Sequence, residues 1–180
     1  MNKNDINELI NILKITYPDA KCSLNFNTPF ELVVAVCLSA QCTDERVNLV
    51  TPSLFNRCTE IKDFANINLT ELEELIRPCG FYKNKAKNIK KCANQILQDF
   101  DGKVPQNMED LTKLAGVGRK SANVIMLEVF GNPQGIAVDT HCKRISNRIG
   151  LSSHKDPLKI EYDLLKQINS LDYKDVNHLF

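Results

Sequence analysis

No run of apolar residues in this chain approaches the roughly 20 that a membrane-spanning helix needs, so no membrane helix and no membrane partner are expected. The first residues, MNKNDINELINILK, are amphipathic and contain acids, which a secretory signal does not. The default location is therefore the cytoplasm. Alternating strand patterns are essentially absent, as are repeats and low-complexity stretches, which excludes a sheet-based fold. No CxxC pair occurs among the seven cysteines, their number is odd, and several lie inside apolar helical patterns such as ELVVAVCLSA. Buried free thiols in a reducing compartment are expected, in preference to disulfides or a metal site.

What remains is an ordinary globular composition, with 43% hydrophobic and 25% charged residues in 180. That length suits one large domain or two small ones sharing a core. A net charge of +1 does not announce a polyanionic partner, but the charge is unevenly spread. FYKNKAKNIKK places five lysines in residues 83–91 with no acid among them, and HCKRISNR at 141–148 adds Lys143, Arg144 and Arg148. Acids gather elsewhere, as in TELEEL at 70–75. Taken alone, the lysines suit a solvated helix face as well as a phosphate-facing surface.

Helical periodicity runs almost throughout, and the chain reads as all-α. Ile6, Leu9, Ile10 and Leu13 form one stripe over residues 5–16. Thr28, Pro29 and Glu31 read as a cap, a first-turn proline and a capping-box partner, starting a core helix over about 29–40 that is apolar nearly all round. Further helices are expected near 44–57, 69–77, 84–99, 108–114, 119–130, 140–149, 157–168 and 173–180. Breaks fall at RPCG (77–80), DGKVP (101–105) and GNPQG (131–135), each carrying Gly or Pro.

Between two of these helices stands LAGVGRK, residues 114–120. Gly116 and Gly118 can take backbone angles closed to other residues and leave no side chain between the turn and a ligand. Amides of the turn and of the following helix start then face outward at a positive helix terminus, which suits a phosphate. A bare helix–helix corner would use glycines too, so the turn alone decides nothing.

The whole string decides more. Leu114 to Lys120 resembles the hairpin of helix-hairpin-helix DNA-binding proteins. With NFNTPFELVVAVCLSAQCTDERVN, GFYKNKAKNI, GKVP, SANVI and IAVDTHCKRISNR, in that family's order and spacing, the chain resembles the endonuclease III family of helix-hairpin-helix DNA glycosylases over nearly its entire length. Ala115 departs from the pattern, since many relatives carry proline there; this alters turn stiffness and not chemistry. The resemblance implies two helical lobes with a DNA cleft between them. One is a helical barrel domain over 22–134, carrying the helix-hairpin-helix at about 108–130; the other joins 1–21 to 135–180. It also implies a monomer acting on double-stranded DNA that contains damaged bases or abasic sites, in the cytoplasm at the nucleoid.

By the same resemblance Lys120 is the nucleophile. A neutral amine can attack the sugar C1′, expel a base and form a Schiff base that permits elimination of the 3′ phosphate. An unperturbed lysine titrates near about 10.4 and is mostly charged at neutral pH; Arg119 and the positive helix terminus both favour the neutral amine. Asp139 is expected as the N-cap of the helix that follows and, by resemblance, as the carboxylate that counters the sugar's developing charge or assists lysine deprotonation. An excursion out along helix 119–130, about 18 Å, and back along GNPQGIAV would bring the two together. Because the target base must be flipped out of the duplex, the resemblance makes Gln41 the plug that fills the vacancy and Phe81 the wedge on the opposite side. Lys83, Lys85, Gly116, Val117, Gly118, Arg119, His141 and Arg144 complete the expected DNA contacts.

The family also implies a [4Fe–4S] cluster held by four closely spaced cysteines near the C-terminus. None of the seven cysteines has that spacing, so no metal ligand is assigned within residues 1–180. The cluster is expected only if the chain continues beyond Phe180, the alternative being a form without it, and the second lobe is expected to leave apolar surface around Leu179 and Phe180 uncovered. Two other readings stay open on the sequence. A monofunctional glycosylase of the adenine-mismatch branch would lack a lysine at position 120. A non-catalytic helix-hairpin-helix DNA-binding protein, or a truncated and inactive remnant, would bind without turnover.

Overall fold

The computed structural model describes residues 2–180, and among them every regular element is helical. The chain divides into two compact units: Ser23–Ile125, and the residues up to Cys22 together with Met126–Phe180.

In the first unit α2 (Pro29–Ser39) is the core helix, with every residue from Leu32 to Leu38 buried, because its sequence offers no polar face. Thr28 caps it as expected, its hydroxyl accepting from the Glu31 amide. The reciprocal half of the box differs: the Glu31 carboxylate takes the amide of Asn27, one residue earlier, at 2.6 Å. Helix α3 (Asp44–Arg57) packs on α2, and α6 (Tyr82–Asp99) lies against α2, α4 (Ile61–Asn66) and α5 (Leu69–Leu75). The expected helix over 69–77 ends at Leu75 and gives way to a 3-10 turn, Arg77–Cys79, where Pro78 cannot donate to a continuing helix. Helix α4 carries no sequence period of its own. Its Phe64 is buried edge-on against Phe30, with ring centroids 5.2 Å apart, and Asp63 accepts the amides of Thr59 and Glu60. Those amide bonds hold the Asp63 carboxyl below the usual carboxylate range. Helix α7 (Met108–Lys113) ends this unit's sequence before α8 (Arg119–Phe130), which begins in one unit and ends in the other.

The second unit joins α1 (Lys3–Thr16) to α9 (Thr140–Arg148), α10 (Pro157–Gln167) and α11 (Tyr173–Leu179). Ile6 and Ile10 of α1 share one apolar cluster with Ile136, Val138, Ile160, Leu164 and Val176. Lys14 bridges Asp172 and Asp175, each at 2.7 Å, and His178 Nε2 stands 3.1 Å from a carboxylate oxygen of Glu128 at the end of α8. The expectation of an uncovered C-terminal patch is corrected here. Phe180 belongs to that buried cluster, and Leu179 is half-buried against it.

None of the seven cysteines forms a disulfide, and five are buried. No helix among the described residues is long and apolar enough to cross a membrane.

Candidate functional site

The hairpin occupies residues 114–118, between α7 and α8. Its turn is closed by the Val117 amide donating to Leu114 O at 3.1 Å, and α8 starts with the Ala122 amide donating to Gly118 O at 2.9 Å. Val117 is buried and anchors the turn, while Gly116, Gly118, Arg119 and Lys120 are exposed. Lys120 is the second residue of α8, so a ligand held by the turn's amides would sit one helical step from its side chain.

The two glycines do different jobs. Gly116 has φ +82°, and a Cβ there would lie 3.1 Å from Asn88 Cβ and 3.2 Å from Cys37 Sγ. Gly118 has no positive φ of this kind and open space where a Cβ would stand. The expectation that both glycines serve the backbone is therefore corrected: only Gly116 is required by the turn. Gly116→Ala should destabilise the protein by about 1–3 kcal/mol, from left-handed strain plus crowding. Gly118→Ala should stay within about 0.5 kcal/mol of the parent. Denaturant unfolding of the two variants checks this, and equal losses would contradict it.

Three side chains that no local pattern marks hold the hairpin in place. Gln95 of α6 accepts from the Ala115 amide at 2.8 Å and donates to Lys113 O at 3.1 Å; Cys37 of α2 donates to Gly116 O at 3.5 Å. Asn88 closes the third side of Gly116. Burial pushes the Cys37 thiol up to about 12, so it donates as a neutral S–H.

Gln41 and Phe81 lie in the same unit as the hairpin, and both have left-handed backbones, φ 54° and 45°. Gln41 stands in the turn between α2 and α3, closed by the Cys42 amide donating to Ser39 O, and its side chain is exposed. Phe81 follows Gly80 at the head of α6 and is 68% exposed, a large apolar ring offered to solvent. A ring so placed has no packing reason to be there, and left-handed non-glycine backbone points to a constraint beyond local propensity.

The lysine run separates into two classes. Lys83, Lys87 and Lys91 are exposed at i, i+4 and i+8, forming one basic stripe on α6. Lys90 and Lys85 turn inward. Lys90 Nζ donates to Ala65 O and Ile67 O, both at 2.6 Å, at the end of α4. Lys85 is 6% exposed, and its Nζ donates to Leu38 O at 2.9 Å and Cys79 O at 2.8 Å. The expected phosphate contact from Lys85 is thus corrected: its ammonium is spent on two carbonyls and does not reach the surface.

In the other unit Asp139 is the N-cap of α9, Oδ1 accepting from the amides of His141 and Cys142 at 2.8 Å each. His141 and Arg144 are exposed on the first turns of α9, with Arg144 NH2 3.2 Å from His141 Nδ1. The acid is thereby held in one rotamer by backbone donors.

No group of three or more His, Cys, Asp or Glu among the described residues could hold a metal ion. The cysteines, dispersed over both units, do not fit a four-thiolate cluster.

Comparison with known proteins identifies the family. The model of the "HhH-GPD superfamily base excision DNA repair protein" family matches residues 34–170. Endonuclease III of Synechocystis sp. is 50% identical over 96% of this chain and 79% of its own length. Endonuclease III of Bacillus subtilis is 46% identical over 90% and 74%. A solved trapped endonuclease III–DNA covalent intermediate superposes with a TM-score of 0.94 at 42% identity, covering 99% of this chain and 84% of that one. An all-α frame that these proteins match over nearly the whole of this chain, at 42–50% identity, places the chain in the endonuclease III family of HhH-GPD base excision DNA repair proteins.

Proposed function

We propose that the chain is a bifunctional DNA glycosylase and abasic-site lyase of base excision repair, acting in the cytoplasm on oxidised pyrimidines in duplex DNA. The observation that carries this reading is the position of Lys120, second residue of the helix that leaves the hairpin. A phosphate seated on the amides around Gly116–Arg119 would bring the adjoining sugar within reach of that side chain.

The chemistry follows from the residues. The neutral Lys120 amine attacks the sugar C1′, the glycosidic bond breaks, and the base leaves with its bonding electron pair and takes up a proton. Loss of the amine proton and ring opening give an imine between Lys120 and C1′. The imine acidifies the C2′ hydrogen; its removal expels the 3′ phosphate, and water then releases the lysine. By the family resemblance, Asp139 counters the positive charge developing on the sugar or assists deprotonation of the lysine. Gln41 enters the space left by the flipped nucleotide, Phe81 unstacks the opposite side, and the Lys83–Lys87–Lys91 stripe with His141 and Arg144 contacts phosphates.

Borohydride trapping on a duplex bearing one abasic site tests the reading. A covalent protein–DNA adduct, with strand cleavage when borohydride is left out, is the expected result. Salt-dependent binding with no adduct would overturn the lyase and leave a DNA-binding protein.

A further inference from the structure

Lys85 is a buried cation without a carboxylate. Among the described residues, its ammonium bonds are to two backbone carbonyls, and the other ionisable groups acting on it are the thiols of Cys37, Cys42 and Cys79. Burial shifts it toward the neutral form, as expected for a charge removed from water. A buried ammonium is expensive to keep, and a methionine of similar length would pack there with no charge to desolvate. What its position achieves therefore needs an explanation.

The two carbonyls it binds belong to different segments. Leu38 lies three residues before Gln41, at the end of α2; Cys79 lies two residues before Phe81, at the end of the 3-10 turn. The Lys85 amide also donates to Phe81 O at 3.1 Å, so one residue holds the wedge by its backbone and both loop bases by its side chain. Each loop then turns through a left-handed non-glycine residue. Such backbones hold one direction only when their surroundings over-determine them. Lys90 makes the same kind of bond, but both of its carbonyls belong to one chain end, that of α4.

We propose that Lys85 is a positioning residue for duplex opening: its ammonium fixes the Gln41 and Phe81 loops to one another, so that plug and wedge enter DNA as one rigid tool. This rests on the function proposed above, and it assigns no contact between Lys85 and DNA.

The test compares two activities that differ in how much opening they require. Excision of an oxidised pyrimidine demands that a stacked base be extruded; cleavage at a preformed abasic site has no base to extrude. Lys85→Met should lower excision by about tenfold or more while lowering abasic-site cleavage by less than about threefold. Lys90→Met, which removes the equivalent bonds from one helix end, should leave the ratio of the two activities unchanged. A direct readout uses 2-aminopurine opposite a stable tetrahydrofuran abasic analogue. Wild-type protein should raise its fluorescence on binding, and saturating Lys85→Met should give less than about half that rise. If Lys85→Met does not purify folded, Lys85→Gln, which is shorter and uncharged, is read by the same ratio and the same fluorescence. Parallel loss of both activities, or an unchanged ratio with full fluorescence, would overturn the positioning role. Failure of the wild-type chain to excise or trap would instead overturn the proposed function. The fluorescence comparison would still read whether Lys85 controls opening.

Discussion

Lys120→Ala is expected to remove covalent trapping and strand scission at an abasic site by about a thousandfold or more, equivalent to roughly 4 kcal/mol of transition-state stabilisation. The protein itself should hardly notice. Lys120 is exposed in the first turn of α8, and alanine is a better helix former than lysine. Thermal unfolding should stay within about 0.5 kcal/mol of the parent. Duplex affinity should fall only modestly, by the loss of one charge near the backbone. Lys120→Arg sharpens the result: guanidinium keeps the charge but does not become a neutral amine at working pH. It should bind as the parent does and trap nothing. Scission that survives in either variant would place the nucleophile elsewhere.

The second large effect separates a cap from a catalyst. Asp139 Oδ1 accepts two amides of α9, and asparagine caps as well as aspartate. Asp139→Asn should therefore keep stability within about 0.5 kcal/mol. It removes the fixed negative charge, and base excision should fall by about a hundredfold, a size common for the loss of one preorganised group. Asp139→Ala loses the cap as well and should unfold about 1 kcal/mol more easily, with an excision defect no worse than that of the asparagine variant. Full activity in Asp139→Asn, measured by single-turnover excision, would reduce the residue to a cap.

Much of this protein is legible in its sequence because its information is local. The all-α character, the bounds of α3, the Thr28 cap and the hairpin all lie in contiguous residues whose chemistry acts on near neighbours. Helix α4 escapes because six residues hold too few turns for a period, and tertiary burial of Phe64 makes it a helix. The supports of the hairpin escape for another reason. Gln95 lies 20 residues before Ala115, and Cys37 lies 79 before Gly116, so only the fold brings them together. Lys85 carried a signal that its charge concealed. Lys85, Ile89, Cys92 and Ile96 follow the helical period on the buried face of α6, whereas Lys83, Lys87 and Lys91 follow it on the wet one. The left-handed turns at Gln41 and Phe81 gave no signal, since neither residue type favours that backbone.

The unit that holds Asp139 is assembled from two stretches with the whole of Ser23–Ile125 between them. During synthesis at ~5–20 residues per second, α1 leaves the ribosome on the order of ten seconds before Ile136 and Val176 exist to cover Ile6 and Ile10. Residues 23–125 can meanwhile fold to completion, hairpin supports included. The newborn chain therefore carries a finished half beside a helix whose apolar stripe stays in water until the later stretch arrives to cover it.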